Sequence, residues 1–216
     1  MNRRIAVLLL ALMFIISGVA AAEEQYVVVA TTYPLYDMAR TVCGDLVDVQ
    51  YVPEGAEAAT ATADVVLCMG AENDAWTDAL TDARVVKAIN GLDLIEGNTD
   101  VLTIPVNCMI CASYFADAMG ELDSENNQVY QSNLSGYVEA MGAMDTHIRE
   151  IVSEGMKIRC ADGSMAYFAR EYGLSEAQDE EAAELSTYNY PEEELLETSY
   201  AELMHANLHI LAGGSD

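Results

Sequence analysis

The sequence predicts an α/β protein of two lobes, each a parallel sheet with helices, joined by one long helix, with the second lobe cut short. Three observations carry that expectation. From Tyr26 onward, short β-branched runs alternate with amphipathic segments, which favours parallel strands linked by helical crossovers. Between Glu125 and Glu154 the apolar positions Tyr130, Leu134, Tyr137, Val138, Met141, Met144, Ile148, Ile151 and Val152 recur at helical spacing. Beyond that stripe only residues 156–216 remain for a second lobe, part of them an acidic run.

Tyr26 to Thr31 reads as a buried strand, and Pro34 suits the first turn of a helix over Leu35 to Val42 that Gly44 stops. Val47 to Val52 is a second strand, closed by Pro53-Glu54-Gly55, and Ala56 to Ala63 is a loop or a single turn. Asp64 to Met69 is a third strand, followed by a helix carrying Trp76 and Leu80 on one face. Val85 to Ile89 and Leu92 to Ile95 are short apolar runs around the turn signal Asn90-Gly91. A helix follows from about Pro105 to Leu122. The striped segment Glu125–Glu154 is about 30 residues, a rod of about 45 Å that can brace both lobes, and Gly155 ends it. Met156 to Cys160 is a strand, and Gly163 to Tyr172 a helix. Glu176 to Glu184 is a solvated loop, and Leu185 to Tyr190 a strand. Pro191 opens a helix to about His205, and Leu208 to Leu211 is a last strand. The resulting organisation is a leader over 1–22, a first α/β lobe over 23–104, linking helices over 105–155 and a reduced lobe over 156–216.

The leader has its own signature. Asn2-Arg3-Arg4 is a basic start, Ile5 to Ile16 an unbroken apolar run, and Ala20-Ala21-Ala22 a small-residue cleavage pattern. The apolar run is too short to span a bilayer, which takes roughly 20 residues in a helix. The chain is expected to be exported, periplasmic or secreted, and cut after Ala22. No transmembrane segment is expected in the mature chain. No cysteine adjoins the cut, so no lipid anchor is expected there. Nine basic against thirty-six acidic residues set a formal charge of −27, and losing Arg3 and Arg4 takes it to −29. That field opposes nucleic acid and anionic lipid as partners and favours cationic ligands.

Five cysteines and three histidines are the remaining candidates. Cys108-Met-Ile-Cys111 has C-x-x-C spacing, which fits a redox pair, a local disulfide or half a metal site. With Phe115 and Met119 continuing the stripe, the two thiols also fit as small core residues. His205 and His209 stand at i and i+4, but Asn207-Leu208 reads as an exit into a strand. The chain shows no Ser/His/Asp set, phosphate-cradling glycine loop or H-E-x-x-H motif, so no enzyme is expected.

Val28-Val-Ala-Thr-Thr-Tyr-Pro-Leu-Tyr-Asp-Met-Ala39, Gly44-Asp-Leu-Val-Asp-Val49, Pro53-Glu-Gly55 and Ala63-Asp-Val-Val-Leu-Cys-Met-Gly70 follow one another, with Trp76 and Leu80 next. Pro105-Val-Asn107, Glu121-Leu-Asp-Ser-Glu-Asn126, the long helix and Tyr167-Phe-Ala-Arg-Glu-Tyr-Gly-Leu174 complete the series. This order resembles the zinc/manganese ABC-transporter substrate-binding proteins. The resemblance implies two α/β lobes on one long helix, a divalent metal ion (zinc or manganese) held in the cleft as cargo, and an ABC permease in the membrane as partner. It also places histidines where this chain has none. Ala59 stands at the first position, with Glu57 two residues earlier. Asp100 takes the second when counted back from Pro105, with Leu102 replacing a tryptophan, and Asp162 takes the third, counted from Tyr167. A late fourth acid has no match. Glu57, Asp100 and Asp162 are therefore the candidate metal ligands. Carboxylates suit oxygen-preferring cations such as manganese, calcium or magnesium, and zinc accepts them less exclusively. Converging with no cation, the three would repel and raise one another's pKa. His147, His205 and His209 match none of these positions. The alternative is a member that has lost its metal and serves as an extracytoplasmic binding or adhesion module. A thiol oxidoreductase using Cys108 and Cys111 is a third possibility.

Overall fold

The computed structural model describes residues 25–53, 62–70, 72–178 and 180–213. The leader, the P-x-G turn, Glu57 and Ala59 lie outside the described residues.

The first sheet contains β1 (Val27–Ala30), β2 (Asp48–Tyr51), β3 (Val65–Cys68) and β4 (Arg84–Lys87), all parallel, in the order β2-β1-β3-β4. Its central strands alternate faces, as the pleat requires. Val28, Ala30, Val65 and Leu67 enter the main core, while Val29 and Val66 pack on the other side with Trp76 and Leu80. Helix α1 (Tyr33–Cys43) follows β1, with Pro34 in its first turn as expected. The segment expected to carry Trp76 as an α-helix is instead a 3-10 helix, Glu72–Ala79. The Leu92–Ile95 run forms no strand among the described residues; Leu92 and Ile95 dock on the core while Leu94 is exposed.

Helices α2 (Pro105–Leu122) and α3 (Asn127–Ile151) form a hairpin. α3 is unbroken over 25 residues, about 37 Å. Tyr130, Tyr137, Met141, Met144 and Ile148 form its buried stripe. It stops at Ile151 because Val152 turns to extended backbone. One core cluster runs from Val28 and Leu35 through Phe115, Met119 and Tyr130 to Ile158, Phe168 and Leu185. The helix pair therefore packs on elements of both sheets.

The second sheet has three parallel strands, β5 (Lys157–Cys160), β6 (Ser175–Glu176) and β7 (Ala183–Leu185), in the order β6-β5-β7. Helix α4 (Ala166–Tyr172) follows β5, capped by Gly173 in the left-handed conformation at φ 70°. Two expectations fail here. The acidic run is not wholly a loop, since its two ends are β6 and β7. The chain after β7 also does not run as predicted. Leu185 ends β7 rather than opening a strand, and Glu193–Leu195 is a single 3-10 turn. Helix α5 then covers Tyr200–Leu211, including the stretch expected to be a final strand. Ser199 and Glu202 form a capping box that sets this later start. Among the described residues no helix is long and apolar enough to cross a membrane.

Candidate metal centre

In open parallel sheets, ligands sit beyond the carboxyl ends of the strands where the chain reverses its direction of travel across the sheet. The first sheet reverses between β1 and β3, and the second between β5 and β7. The loops leaving those strands meet. Thr31 and Thr32 follow β1, Met69 and Gly70 follow β3, Ala161 to Gly163 follow β5, and Ser186 to Asn189 follow β7. Asp162 therefore lies at the reversal point of the second sheet.

Asp100, in the turn before α2, reaches the same loops. Its Oδ2 accepts from the Ser164 N–H at 2.8 Å, and its Oδ1 from the Asn189 side-chain amide at 2.8 Å. Asp162 Oδ1 accepts from the Thr187 N–H at 2.8 Å, and its Oδ2 from the Ser186 hydroxyl at 2.7 Å. Gly163 is the close contact between the two. A Cβ there would stand 2.9 Å from Asp100 Oδ2 and 2.9 Å from Thr187 Cγ2, so glycine lets the carboxylate lie against the loop. Sequence reasoning thus named two carboxylates that the fold brings to one place. It missed Glu176, dismissed with the acidic run. Glu176 Oε1 accepts from the Met165 N–H at 2.8 Å and from the Ser164 hydroxyl at 3.2 Å. Only the parallel pairing of β6 with β5 brings it there.

Burial pushes the Asp100 carboxyl above its ordinary value; the hydrogen bonds from Ser164 and Asn189 oppose this, and the charges of Asp162 and Glu176 add to it. Burial sets that direction, and like charges within Coulombic reach act the same way to a lesser extent. Around the pair the polar neighbours are oxygen and amide groups of Ser164, Ser186, Thr187, Asn189 and Asn98, with the Cys160 thiol on Asp162 Oδ1 at 3.6 Å. Asn98 supports the turn by accepting from the Asp100 N–H at 2.9 Å and donating to the Ser164 hydroxyl at 2.8 Å. Near the reversal point of the first sheet, Thr31 Oγ1 is buried with no hydrogen-bond partner among the described residues. Among the described residues no three His, Cys, Asp or Glu side chains converge on one point. Glu57, the third candidate, falls outside them.

The segment after β7 closes over this region. Asn189 O accepts from the Tyr33 N–H at 2.9 Å and from the Tyr51 hydroxyl at 3.3 Å. The Tyr33 hydroxyl donates to Leu196 O at 3.0 Å and also meets Thr198 O. Burial pushes the phenols of Tyr33 and Tyr51 up to about 12. Between these ties Tyr188 is held at φ 53°, a left-handed conformation that costs a non-glycine residue about 1–2 kcal/mol. Strain of this kind collects where a fold must aim a loop.

Residues 28–193 match the family described as zinc-uptake complex component A, periplasmic (ZnuA). The chain belongs to this family. ZnuA-family proteins are metal-binding, substrate-binding components of ABC importers and not enzymes, and their description places them outside the cytoplasm, where the leader pointed. The iron-binding protein YfeA of Yersinia pestis is 25% identical over 198 residues, covering 75% of this chain and 64% of its own. The manganese ABC transporter substrate-binding lipoprotein PsaA of Streptococcus anginosus is 26% identical over 195 residues, covering 73% of this chain and 63% of its own. The chain therefore spans just under two thirds of these relatives. In fold it matches the Zn(II)-bound ZnuA-like domain of Streptococcus pneumoniae AdcA, with a TM-score of 0.76 at 17% identity, over 89% of this chain and 99% of that one. The two-lobed α/β architecture is that of the ZnuA family.

Of the five cysteines only Cys160 touches the centre, its Sγ donating to Asp162 Oδ1 at 3.6 Å. All are free thiols, and Cys108 and Cys111 are buried on the α2 stripe. Cys108 donates to Leu102 O at 3.2 Å, and burial pushes its thiol up to about 12. The C-x-x-C pair is core, and a thiolate nucleophile is the least favoured form at such a position.

Proposed function

We propose that this protein captures a divalent metal ion, of the zinc or manganese class, between its two sheets and hands it to an ABC permease. One observation carries the proposal. Asp100 and Asp162, reached from independent sequence anchors, come together where the carboxyl ends of both parallel sheets meet. The candidate ligands themselves are carboxylates, which favours manganese over zinc, although the Cys160 thiol lies beside Asp162. YfeA and PsaA carry iron and manganese in their names, and this supports metal capture over the adhesion alternative.

In this scheme Asp100, Asp162 and Glu57 are the ligands, and the cation offsets both the burial of the Asp100 charge and the smaller repulsion by its acidic neighbours. Asp100 and Asp162 each spend part of their acceptor capacity on loop hydrogen bonds and keep lone pairs for an ion. Release follows when docking moves the β5 and β7 loops away from Asp100, because separating the two carboxylates lowers the ligand count. Metal analysis of the purified mature protein, with thermal shifts in Mn(II) and Zn(II), tests the proposal. A metal present at one hundred times its Kd should stabilise the fold by about 2.7 kcal/mol. The exposed Asp162, changed to Asn, should remove most of that shift. No shift with either metal, or an unchanged shift in Asp162→Asn, would overturn the assignment.

A further inference from the structure

We propose a second metal site, away from the cleft, built by the chain's three histidines. The observation behind it is one the sequence concealed. α5 runs unbroken over Tyr200–Leu211, so His205 and His209 lie on one helix at i and i+4. That spacing places two imidazoles on one face, as in zinc-binding helices. The third histidine comes from the other helix of this interface. His147, on α3, meets His205 with ring centroids 5.6 Å apart and planes at 90°.

The separation suits a shared ion. Imidazole nitrogens bind zinc at about 2.0–2.1 Å, so two rings on one tetrahedral ion have centroids roughly 5.2 Å apart. The observed pair stands within a few tenths of an ångström of that distance. The rings are edge to face, so one must turn to aim its nitrogen at the ion. His147, His205 and His209 are all exposed, so this turn disturbs no packing. The helix frames beneath them are held by buried neighbours, Met144 and Ile148 on α3 and Met204 and Leu208 on α5. As placed, the three imidazoles do not converge, in keeping with the absence of a three-ligand group among the described residues.

The donor chemistry separates this site from the cleft. Imidazoles favour zinc, copper and nickel, whereas the cleft offers oxygens. The strongly acidic surface raises the local cation concentration at both.

The test titrates the mature protein with Zn(II) alone by calorimetry and with Cu(II) alone by electron paramagnetic resonance. Wild type and Asp162→Asn should both bind an ion at this site with nitrogen couplings in the copper spectrum. His205→Ala should lose that ion and those couplings, and His147→Ala and His209→Ala should each weaken it at least tenfold. Circular dichroism should show all variants folded, since the substituted side chains are exposed. Unchanged binding and couplings in His205→Ala would overturn the proposal, as would their loss in Asp162→Asn. A failed cleft site leaves these outcomes unaltered.

Discussion

Asp100 supports the metal-free fold as well as the proposed cleft, so Asp100→Ala should destabilise the protein even in chelator. The substitution strands the Ser164 N–H and the Asn189 amide, which Asp100 accepts at 2.8 Å each. A lost hydrogen bond to a charged group costs about 1.5–3 kcal/mol. Relief of the buried charge and of its repulsion by Asp162 and Glu176 offsets part of the two losses, and water can reach this half-buried position. The balance is a loss of about 2–3 kcal/mol, or roughly 4–12 °C in Tm for a chain of this length. Urea unfolding with EDTA at several pH values measures it. The sign of the pH dependence follows from the raised pKa. With a folded pKa above 3.8, the folded state holds the Asp100 proton more tightly. Its stabilising contribution is then complete below 3.8 and declines as pH rises through the folded value. The gap between wild type and Asp100→Ala should therefore be wider at acid pH than at neutral pH. A cost under about 1 kcal/mol, or a gap that widens with rising pH, would refute this account of Asp100.

Gly163→Ala should cost about 1–3 kcal/mol by overpacking and remove the Mn(II) shift, because its Cβ would press on Asp100 Oδ2 and Thr187 Cγ2 at 2.9 Å. Gly136→Ala on α3, with nothing within 4 Å of its Cβ, should instead stabilise by about 0.5–1 kcal/mol; equal effects from the two would contradict the geometry. In native protein at pH 8, a disulfide reagent should label Cys160 slowly and the four buried thiols hardly at all, with all five reacting in urea. Prompt labelling of Cys108 or Cys111 would reopen the redox reading.

The sequence alone carried the strand–helix alternation and the α3 stripe from Tyr130 to Ile148. These are local or periodic signals, because a strand of valines or a helical stripe is dictated by which faces must leave water. Asp100 and Asp162, by contrast, were candidates only through the family resemblance, counted from Pro105 and Tyr167. The chain after β7 was misread because its pattern is ambiguous at short range. Leu208 to Leu211 is apolar enough for a strand, and only the Ser199–Glu202 capping box and the burial of Tyr200, Met204 and Leu208 make it a helix. That error hid the shared face of His205 and His209. Glu176 was passed over for a related reason, since its charge looked solvated until the pairing of β6 with β5 set its carboxylate on the Met165 N–H. What each residue type can do was written in the sequence. Which residues meet depended on packing two parallel sheets against one helix pair, because groups separated by tens of residues acquire a common environment only when that core closes.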